Sequence, residues 1–233
     1  MKTSPGILWQ YIRYFFFIGI NWNFPLAIFM IRHEIRGEKK YRLQTTGTDN
    51  LVKSVSEKDR EHASIYQPIN YYIAEILFEQ LHASQKQTGF LDAGCGKGRA
   101  MALALYFGFK KVSGFDISPE MCYDALNNLE TLENKYPTAI LDVDCEDAGK
   151  CSIDPDTGVI FLFNPFDEVI MKPFIQQVMK SLSIFPRHMT ILYANPQCKN
   201  LWLQAGFQET FHTKKMNWLE GSVLEFSSDN SKE

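Results

Sequence analysis

The sequence predicts an α/β fold built on a doubly wound, mostly parallel sheet, and three observations lead to this prediction. From Leu91 onward, short apolar runs alternate with segments whose apolar residues recur at helical spacing. The continuous apolar run 159–163 is typical of a central parallel strand that is buried on both faces. The last two predicted strands, near 208–214 and 222–226, are joined by a loop too short for a parallel crossover, so they must pair antiparallel. We therefore expect about seven strands, with an antiparallel hairpin at the C-terminal end.

An α-helical N-terminal extension is predicted over residues 1–42. Residues 14–31 carry no charge, and 18 such positions reach the lower length limit of a membrane span. Asparagine, glycine and proline interrupt this run, however, and Asn23 followed by Pro25 indicates the start of a second helix. Gly37 is a typical helix stop, so two short helices are expected rather than one span.

The extension also carries a basic cluster between residues 32 and 42. Glu34 and Glu38 interleave with these cations, a pattern that a solvated helix face explains. We expect the extension to pack on the domain or across a homodimer, and an interfacial membrane anchor is the alternative. Residues 43–65 are expected to form a polar linker or a lid, and residues 228–233 a polar tail.

The elements of the main domain follow from apolar spacing and from capping residues. An apolar stripe over 69–81 begins after Pro68 and predicts a helix ahead of the first strand. Ser118 is a typical N-cap and Pro119 a typical first helical residue. The later elements are expected, in order, as a helix at 99–107, a strand closed by Asp116, a helix ended by Pro137, a strand at 139–145, the strand at 159–163, a helix at 168–183 and a strand at 189–194.

The most informative segment is 90–99, which reads Phe-Leu-Asp-Ala-Gly-Cys-Gly-Lys-Gly-Arg. Glycine at every second position lets the backbone turn sharply and approach a ligand where a Cβ would clash. A strand, a glycine turn and a helix N-terminus together are typical of a nucleotide-cofactor site. A dinucleotide fingerprint needs a sixth-position glycine, where this chain has Arg99. The spacing therefore argues against a nicotinamide dehydrogenase. Basic residues that open a helix are usually solvated, which is what we expect of Lys97 and Arg99.

The pattern Asp92-x-Gly94-x-Gly96-x-Gly98 resembles motif I of the class I S-adenosylmethionine (SAM) methyltransferases. The resemblance covers roughly residues 66–227 and implies a Rossmann-like SAM-dependent methyltransferase domain. It also implies SAM as the cofactor and S-adenosyl-L-homocysteine as the product. No metal is expected, since the cysteines and histidines lack ligand spacing.

The resemblance also implies which residues contact SAM. The glycine turn would cradle the methionine part and the ribose, while Asp116 would hold the ribose hydroxyls and Ile117 would pack on the adenine. Asp147 would accept from the adenine amino group, with Asp144 as its rival, and the backbone N–H of Ala148 would serve the ring. The complete expected cofactor set is Asp92, Ala93, Gly94, Cys95, Gly96, Gly98, Asp116, Ile117, Asp147, Ala148, Asn164, Tyr66 and Gln67.

Three residues after the buried fourth strand, Asn164, Pro165 and Phe166, are the catalytic candidates. They resemble the Asn/Asp-Pro-Pro-aromatic motif of methyltransferases that act on amino nitrogens. In that motif, the side-chain amide and a proline carbonyl accept hydrogen bonds from the target nitrogen. This chain departs from the pattern because it has one proline and the aromatic comes third. A proline-terminated strand followed by a core phenylalanine is the alternative.

Composition narrows the remaining function classes. The net charge of −3 and the pI near 6.0 give no electrostatic footprint for nucleic acid. Five cysteines without a Cys-x-x-Cys pair indicate reduced thiols, so a cytoplasmic protein is expected, with peripheral membrane contact as the alternative. The sequence predicts methyl transfer to an amino or other nucleophilic group of a small-molecule or protein acceptor. The alternatives are an aminopropyl transferase and a non-catalytic SAM-binding or membrane-associated interaction protein.

Overall fold

A single seven-stranded sheet organises the chain in the computed structural model, which describes residues 5–43, 45, 68–163 and 166–227. The strand order is β3-β2-β1-β4-β5-β7-β6, parallel from β3 to β5, with β7 antiparallel to both β5 and β6. This arrangement confirms the predicted fold class. The strands are β1 (Gly89–Ala93), β2 (Lys111–Asp116), β3 (Ile140–Cys145), β4 (Thr157–Phe163), β5 (Met189–Ala194), β6 (Gln208–Lys215) and β7 (Leu219–Phe226).

Helices cover both faces of the sheet. They are α1 (Pro5–Asn21), α2 (Phe24–Tyr41), α3 (Tyr71–Glu79), α4 (Arg99–Tyr106), α5 (Pro119–Glu133), α6 (Glu168–Ile184) and α7 (Lys199–Gln204), with a 3-10 turn at Gln85–Gln87. The predicted N-cap is confirmed, because the Ser118 hydroxyl accepts a hydrogen bond from the backbone N–H of Met121.

Successive side chains along each strand point to opposite faces of the sheet, so the core consists of two apolar layers. On β4, Val159 and Phe161 pack with α3, α4 and α5, whereas Ile160 and Leu162 pack with α6 and α7. All four side chains are almost fully buried. Burying a side chain of this size contributes about 1.5–3 kcal/mol to stability, so β4 anchors both layers. Its carboxyl end is correspondingly well fixed.

Helices α1 and α2 form an N-terminal helical hairpin, residues 5–41, joined by Trp22 and Asn23. The Asn23 side chain accepts a hydrogen bond from the backbone N–H of Leu26 at 2.8 Å, which confirms the predicted start of the second helix. In the described part of the chain, no helix is both long enough and apolar enough to cross a membrane.

The predicted end of α2 at Gly37 is wrong, because the helix continues to Tyr41 and closes at Arg42 in the left-handed conformation. Gly37 serves a different purpose. A Cβ at this position would lie 2.1 Å from Cγ of Tyr71 on α3. Glycine therefore lets α2 approach α3 closely, a long-range reason that a helix-stop pattern does not carry.

A buried ion pair ties the hairpin to the main domain. The guanidinium of Arg99, the first residue of α4, is 3% exposed, and its Nη1 lies 2.9 Å from each carboxylate oxygen of Glu34 on α2. Its Nε donates to Thr45 Oγ1 at 2.7 Å, and its plane lies 4.1 Å from the ring centroid of Tyr71. The expectation that Arg99 is solvated is therefore wrong. A helix folded over its side chain removes it from water.

Most of the predicted linker or lid over 43–65, and the predicted tail over 228–233, lie outside the described residues. The described exceptions, Leu43 and Thr45, are both buried. They extend the packing of α2 toward Arg99.

Candidate functional site

The glycine turn after β1 is held against the end of β2 by backbone hydrogen bonds. Both Gly94 N and Cys95 N donate to the carbonyl oxygen of Phe115, at 2.9 and 2.8 Å. The three turn glycines adopt positive φ values of 77°, 51° and 77° at positions 94, 96 and 98. An L-residue there would cost roughly 1–2 kcal/mol. The sequence pattern thus corresponds to a tight, backbone-lined turn that leads directly into α4.

Asp116 lies at the carboxyl end of β2 and faces this turn. Its Oδ2 accepts from Gly96 N at 3.0 Å, and its Oδ1 accepts from Ser118 N at 2.9 Å. Burial raises the pKa of this carboxyl, and the backbone N–H groups that bond to it act in the opposite direction. Each oxygen keeps acceptor capacity for a further donor, such as a hydroxyl. The carboxylate is therefore fixed in position and able to accept more hydrogen bonds.

Asp92 places a second carboxyl beside the same turn. It is 3% exposed, and burial raises its pKa to about 8, with a smaller contribution from the negative charge of Asp116. A hydrogen bond from the backbone N–H of Met101 lowers that pKa in part. With a pKa of about 8, Asp92 is largely protonated at neutral pH, so Asp116 is the carboxyl whose negative charge favours a cationic ligand and opposes a pyrophosphate. The electrostatics of the turn therefore agree with the absence of the sixth-position glycine.

The ends of β2 and β3 come together at the predicted adenine side. Asp116 pairs in register with Cys145, and Glu146 N donates to the carbonyl of Asp116 at 3.1 Å. Ile117 is 39% exposed there. The Asp147 carboxylate accepts from Gly149 N at 2.9 Å, while its neighbour Ala148 is buried.

The rival adenine candidate, Asp144, lies within β3 and has an exposed side chain, and its carbonyl accepts from the Cys122 thiol at 3.3 Å. Asp147 lies in the loop beyond the strand, which ends at Cys145. The roles of Ile117, Asp147 and Ala148 stay predictions.

Of the three catalytic candidates, only Phe166 lies within the described residues. Asn164 and Pro165 lie outside them, as do the cofactor candidates Tyr66 and Gln67. The Phe166 ring stacks on Phe115 at a centroid distance of 6.5 Å and meets Phe174 edge-on at 5.8 Å. These are core contacts on the α6 side of the sheet, so the described surroundings of Phe166 are those of a packing residue. Its predicted catalytic role stays untested.

Comparison with known proteins agrees with this geometry. The family described as "Methyltransferase domain" matches residues 91–171, which contain the glycine turn, Asp116 and Asp147. The matched segment is about a third of the chain. Residues 91–171 therefore carry a methyltransferase domain, and the sheet that contains them is Rossmann-like. No curated protein matches the chain.

Solved structures share the fold of this chain at low sequence identity. A protein from Pyrococcus horikoshii proposed to be an RNA methyltransferase superimposes with a TM-score of 0.56 at 14% identity, covering 84% of this chain and 96% of its own. A SAM-dependent methyltransferase from Aquifex aeolicus gives 0.52 at 14% identity, with coverages of 75% and 96%. The ribosomal protein L11 methylase from Lactobacillus delbrueckii subsp. bulgaricus gives 0.50 at 17% identity, with coverages of 69% and 88%.

The chemistry of the glycine turn fits SAM. SAM carries a sulfonium and an α-ammonium group, and both are cations that the carboxylate of Asp116 attracts. The free acceptor capacity of Asp116 suits the ribose hydroxyls, which donate hydrogen bonds. The left-handed turn at Gly94, Gly96 and Gly98 leaves backbone rather than Cβ atoms facing the ligand. The described residues contain no group of His, Cys, Asp or Glu arranged to hold a metal ion.

A cavity of about 300 Å³ lies at the carboxyl ends of β4 and β5, next to the cofactor turn. Phe163, the last residue of β4, lines it, and Leu162 pairs with Ala93 just before the glycine turn. Neighbouring strands lie about 4.8 Å apart, so the cavity opens one strand away from the turn. Its lining comprises Tyr14, Phe17, Ile18, Trp22, Leu26, Met30, Pro68, Asn70, Ile73, Phe163, Asn195, Gln197, Trp218, Leu219 and Glu220.

Sequence reasoning missed the contribution of the N-terminal hairpin to this cavity. Six lining residues come from the hairpin and its connection, among them Tyr14 and Trp22. Burial, together with the nearby carboxylate of Glu34, raises the pKa of Tyr14, so its hydroxyl stays protonated at neutral pH. The aromatic density of residues 14–24 is a signal that could have indicated this contribution, since we expected the extension to pack on the domain or across a homodimer without assigning it to a cavity.

Proposed function

We propose that this methyltransferase transfers the methyl group of SAM to an amino nitrogen of a small, largely apolar acceptor that binds in the cavity beside β4 and β5. The position of the cavity is the observation that supports this proposal most directly. In open α/β sheets, ligands bind outside the carboxyl ends of the strands, and this cavity lies there, one strand from the cofactor turn. A volume of about 300 Å³ suits a small molecule.

The lining of the cavity supports an acceptor with an apolar body and one polar end. Aromatic and aliphatic side chains make up most of the wall, and a few polar groups lie near the sheet edge. One of these, Asn70, is already committed, because it caps α3 at Tyr72 N and donates to Glu34. In ligand pockets of this kind, a few polar groups fix the orientation of the bound molecule, and the cavity has such groups besides Asn70.

Asn195 and Glu220 are the polar groups best placed to orient the acceptor. Asn195 follows β5 directly, adopts a φ of +48°, and donates its backbone N–H to the carbonyl of Glu220 at 2.8 Å. The Glu220 carboxylate lies 2.8 Å from Lys214 Nζ and 3.1 Å from His212 Nε2. Because Lys214 already offsets the charge of this carboxylate, Glu220 would accept a hydrogen bond from the acceptor rather than select its charge.

The choice of nitrogen rests on the resemblance of Asn164-Pro165-Phe166 to the motif of amino methyltransferases. SAM supplies, when bound, an activated methyl group on a sulfonium. The protein then has to hold the acceptor in line with the sulfur–methyl bond, and such positioning can supply about 7–11 kcal/mol. The attacking amine is neutral, a new nitrogen–carbon bond forms as the sulfur–carbon bond breaks, and the methylated ammonium later loses its proton to solvent.

The first experiment is calorimetric titration with SAM, S-adenosyl-L-homocysteine and NAD, followed by transfer from radiolabelled SAM to paired acceptors. Each pair contains an apolar amine and the alcohol of the same shape. The proposal expects binding of the first two ligands and labelling of amines only. Labelling of alcohols with amines inert would contradict the nitrogen assignment. Binding of SAM without transfer to any acceptor would favour a non-catalytic SAM-binding protein, and transfer from decarboxylated SAM would favour an aminopropyl transferase.

Variants separate the cofactor site from the acceptor site. Asp116→Ala should abolish SAM binding, whereas Asn164→Ala should leave SAM binding nearly intact and abolish transfer. Gln197→Trp should raise KM for the acceptor, because position 197 lines the cavity and is exposed at its edge. Asn200→Trp is the matched control, since Asn200 is exposed on α7 and does not line the cavity. Equal KM values for the two tryptophan variants would place the acceptor elsewhere.

A further inference from the structure

The outer face of α1 exposes a continuous stripe of large apolar side chains. Leu8, Ile12, Phe16 and Ile20 recur at every fourth position, which places them on one side of the helix. They are 37–75% exposed, and the neighbouring Trp9 is 61% exposed. Side chains of this size are rarely left in water as a contiguous group, so the stripe indicates an interaction surface.

Helix α2 adds apolar and cationic side chains to this outer surface. Phe24, Ile28 and Ile35 are 48–61% exposed on it. Arg32, Arg36 and Lys39 are exposed on the same side of the helix, and Arg13 lies beside the α1 stripe. We call this combination, formed by the apolar residues of both helices and these four cations, the outer hairpin face.

Both acidic residues of the hairpin point away from this face. Glu34 is fully buried against Arg99, and Glu38 is 11% exposed, with its Oε1 3.5 Å from Arg99 Nη2. The sequence intermixes these acids with the basic cluster, which suggested a solvated face of mixed charge. The fold separates them instead. Within the described hairpin, the outer face therefore carries cations and apolar groups without an acid.

We propose that the outer hairpin face docks on the surface of an anionic lipid bilayer. Exposed apolar side chains of an amphipathic helix enter the boundary between headgroups and acyl chains, and flanking Lys and Arg contact lipid phosphates. The 17 residues of α1 extend over about 26 Å and lie in the plane of the surface. Trp9, which is 61% exposed on this face, is of the type that settles at such a boundary.

Charge favours a lipid surface over a second copy of the chain. A two-fold symmetric dimer through this face would bring the same four cations of both copies together, with no acid of the described hairpin between them, a like-charge arrangement that opposes association. An anionic bilayer pairs with every one of them. The inner side of the hairpin lines the cavity, so docking would hold that cavity within about one helix diameter, about 10–12 Å, of the lipid. The docking itself does not depend on the identity of the acceptor.

Flotation of the full chain with vesicles tests the proposal. Phosphatidylglycerol-containing vesicles are compared with vesicles of phosphatidylcholine alone, at about 0.1 M and about 0.5 M salt. The expected result is binding to the anionic vesicles that weakens as salt rises. The double variant Arg32→Gln with Lys39→Gln should reduce this binding about thirtyfold at the lower salt. Lys172→Gln with Lys180→Gln, at exposed positions of α6, is the matched charge control and should bind as wild type.

An apolar pair of variants completes the test. Trp9→Gln with Ile20→Gln should lower vesicle binding at least tenfold, whereas Tyr123→Gln with Val169→Gln should not, although the control residues are similarly exposed at 66% and 60%. Circular dichroism and the thermal midpoint show whether each variant is folded. Equal vesicle binding by all folded variants would overturn the proposal. A second combination of results would also overturn it. In that case wild type floats with neither kind of vesicle, light scattering shows that it is a dimer, and the double variant Trp9→Gln with Ile20→Gln is a monomer.

Discussion

The buried ion pair between Glu34 and Arg99 gives the sharpest test of how the N-terminal hairpin is attached. In Glu34→Gln, the size of the side chain is nearly unchanged, but the guanidinium of Arg99 loses its charged partner at 2.9 Å. Both side chains are almost completely shielded from water, at 3% and 0% exposure. The uncompensated cation cannot be rehydrated unless α2 moves away from α4.

The expected cost is several kcal/mol. Removing one partner of a buried ion pair typically destabilises a protein by about 3–5 kcal/mol. Glu38 lies 3.5 Å from Arg99 Nη2 and retains part of the attraction, so we expect the lower end, about 3 kcal/mol. For a domain of this size, each kcal/mol lowers the thermal midpoint by about 2–4 °C, which predicts a decrease of roughly 6–12 °C.

Urea unfolding at neutral pH measures this cost, and a double-mutant cycle isolates the pair. Arg99→Met combined with Glu34→Gln should recover part of the lost stability, because no buried charge then lacks its partner. Glu168→Gln is the control: it removes an exposed i,i+4 partner of Lys172 at 3.5 Å and should cost less than about 0.5 kcal/mol. If Glu34→Gln costs no more than this control, Arg99 does not depend on Glu34 and the account of the attachment is refuted.

Three further predictions concern the cofactor turn and the helix contact. The pKa of Asp92, about 8 when folded, exceeds its ordinary value of 3.8. Its contribution to stability is therefore complete below pH 3.8 and is lost as pH rises toward 8. In urea unfolding between pH 5 and 8, stability should fall by up to about 1.4 kcal/mol per pH unit more in wild type than in Asp92→Asn, and equal slopes would contradict the raised pKa. Gly37→Ala should cost about 1–3 kcal/mol in unfolding free energy, because its Cβ meets the Tyr71 ring, and a neutral effect would mean that the helices separate freely. Gly96→Ala, at a φ of +51°, should cost about 1–2 kcal/mol and weaken SAM binding in calorimetry, and unchanged affinity would show that the turn tolerates a side chain.

The sheet was predictable because its signals are local. The bounds of β5 agree with the apolar run 189–194, and the parallel centre follows from the apolar run that ends β4. The end of α2 was not predictable in this way. Gly37 lies within the helix because Tyr71, 34 residues later, packs on it. A glycine such as Gly37 can end a helix or can let two helices pack closely, and the sequence alone does not distinguish these two roles.

In the candidate site, too, contacts between residues close in sequence were predictable and contacts between distant residues were not. The glycine turn and Asp116 are separated by one helix and one strand, so spacing alone brings them together, and the structure gives them direct hydrogen bonds. Arg99 and Glu34 are 65 residues apart, and no local pattern links them. The cavity is more remote still, because it joins Tyr14 on α1 to Glu220 on β7.

The two parts of the chain thus have different roles in the chemistry, and this difference explains which conclusions were accessible from sequence. The main domain carries the cofactor turn, whose geometry depends on glycines with positive φ and on a few acids. These residues recur at a fixed spacing along the sequence, which can be recognised without a structure. The hairpin supplies one wall of the cavity proposed for the acceptor, and a wall needs only apolar shape, which many sequences provide. Arg99 belongs to both parts, since it follows Gly98 directly and holds Glu34. The attachment of the hairpin at Arg99 therefore fixes this wall of the cavity relative to the glycine turn.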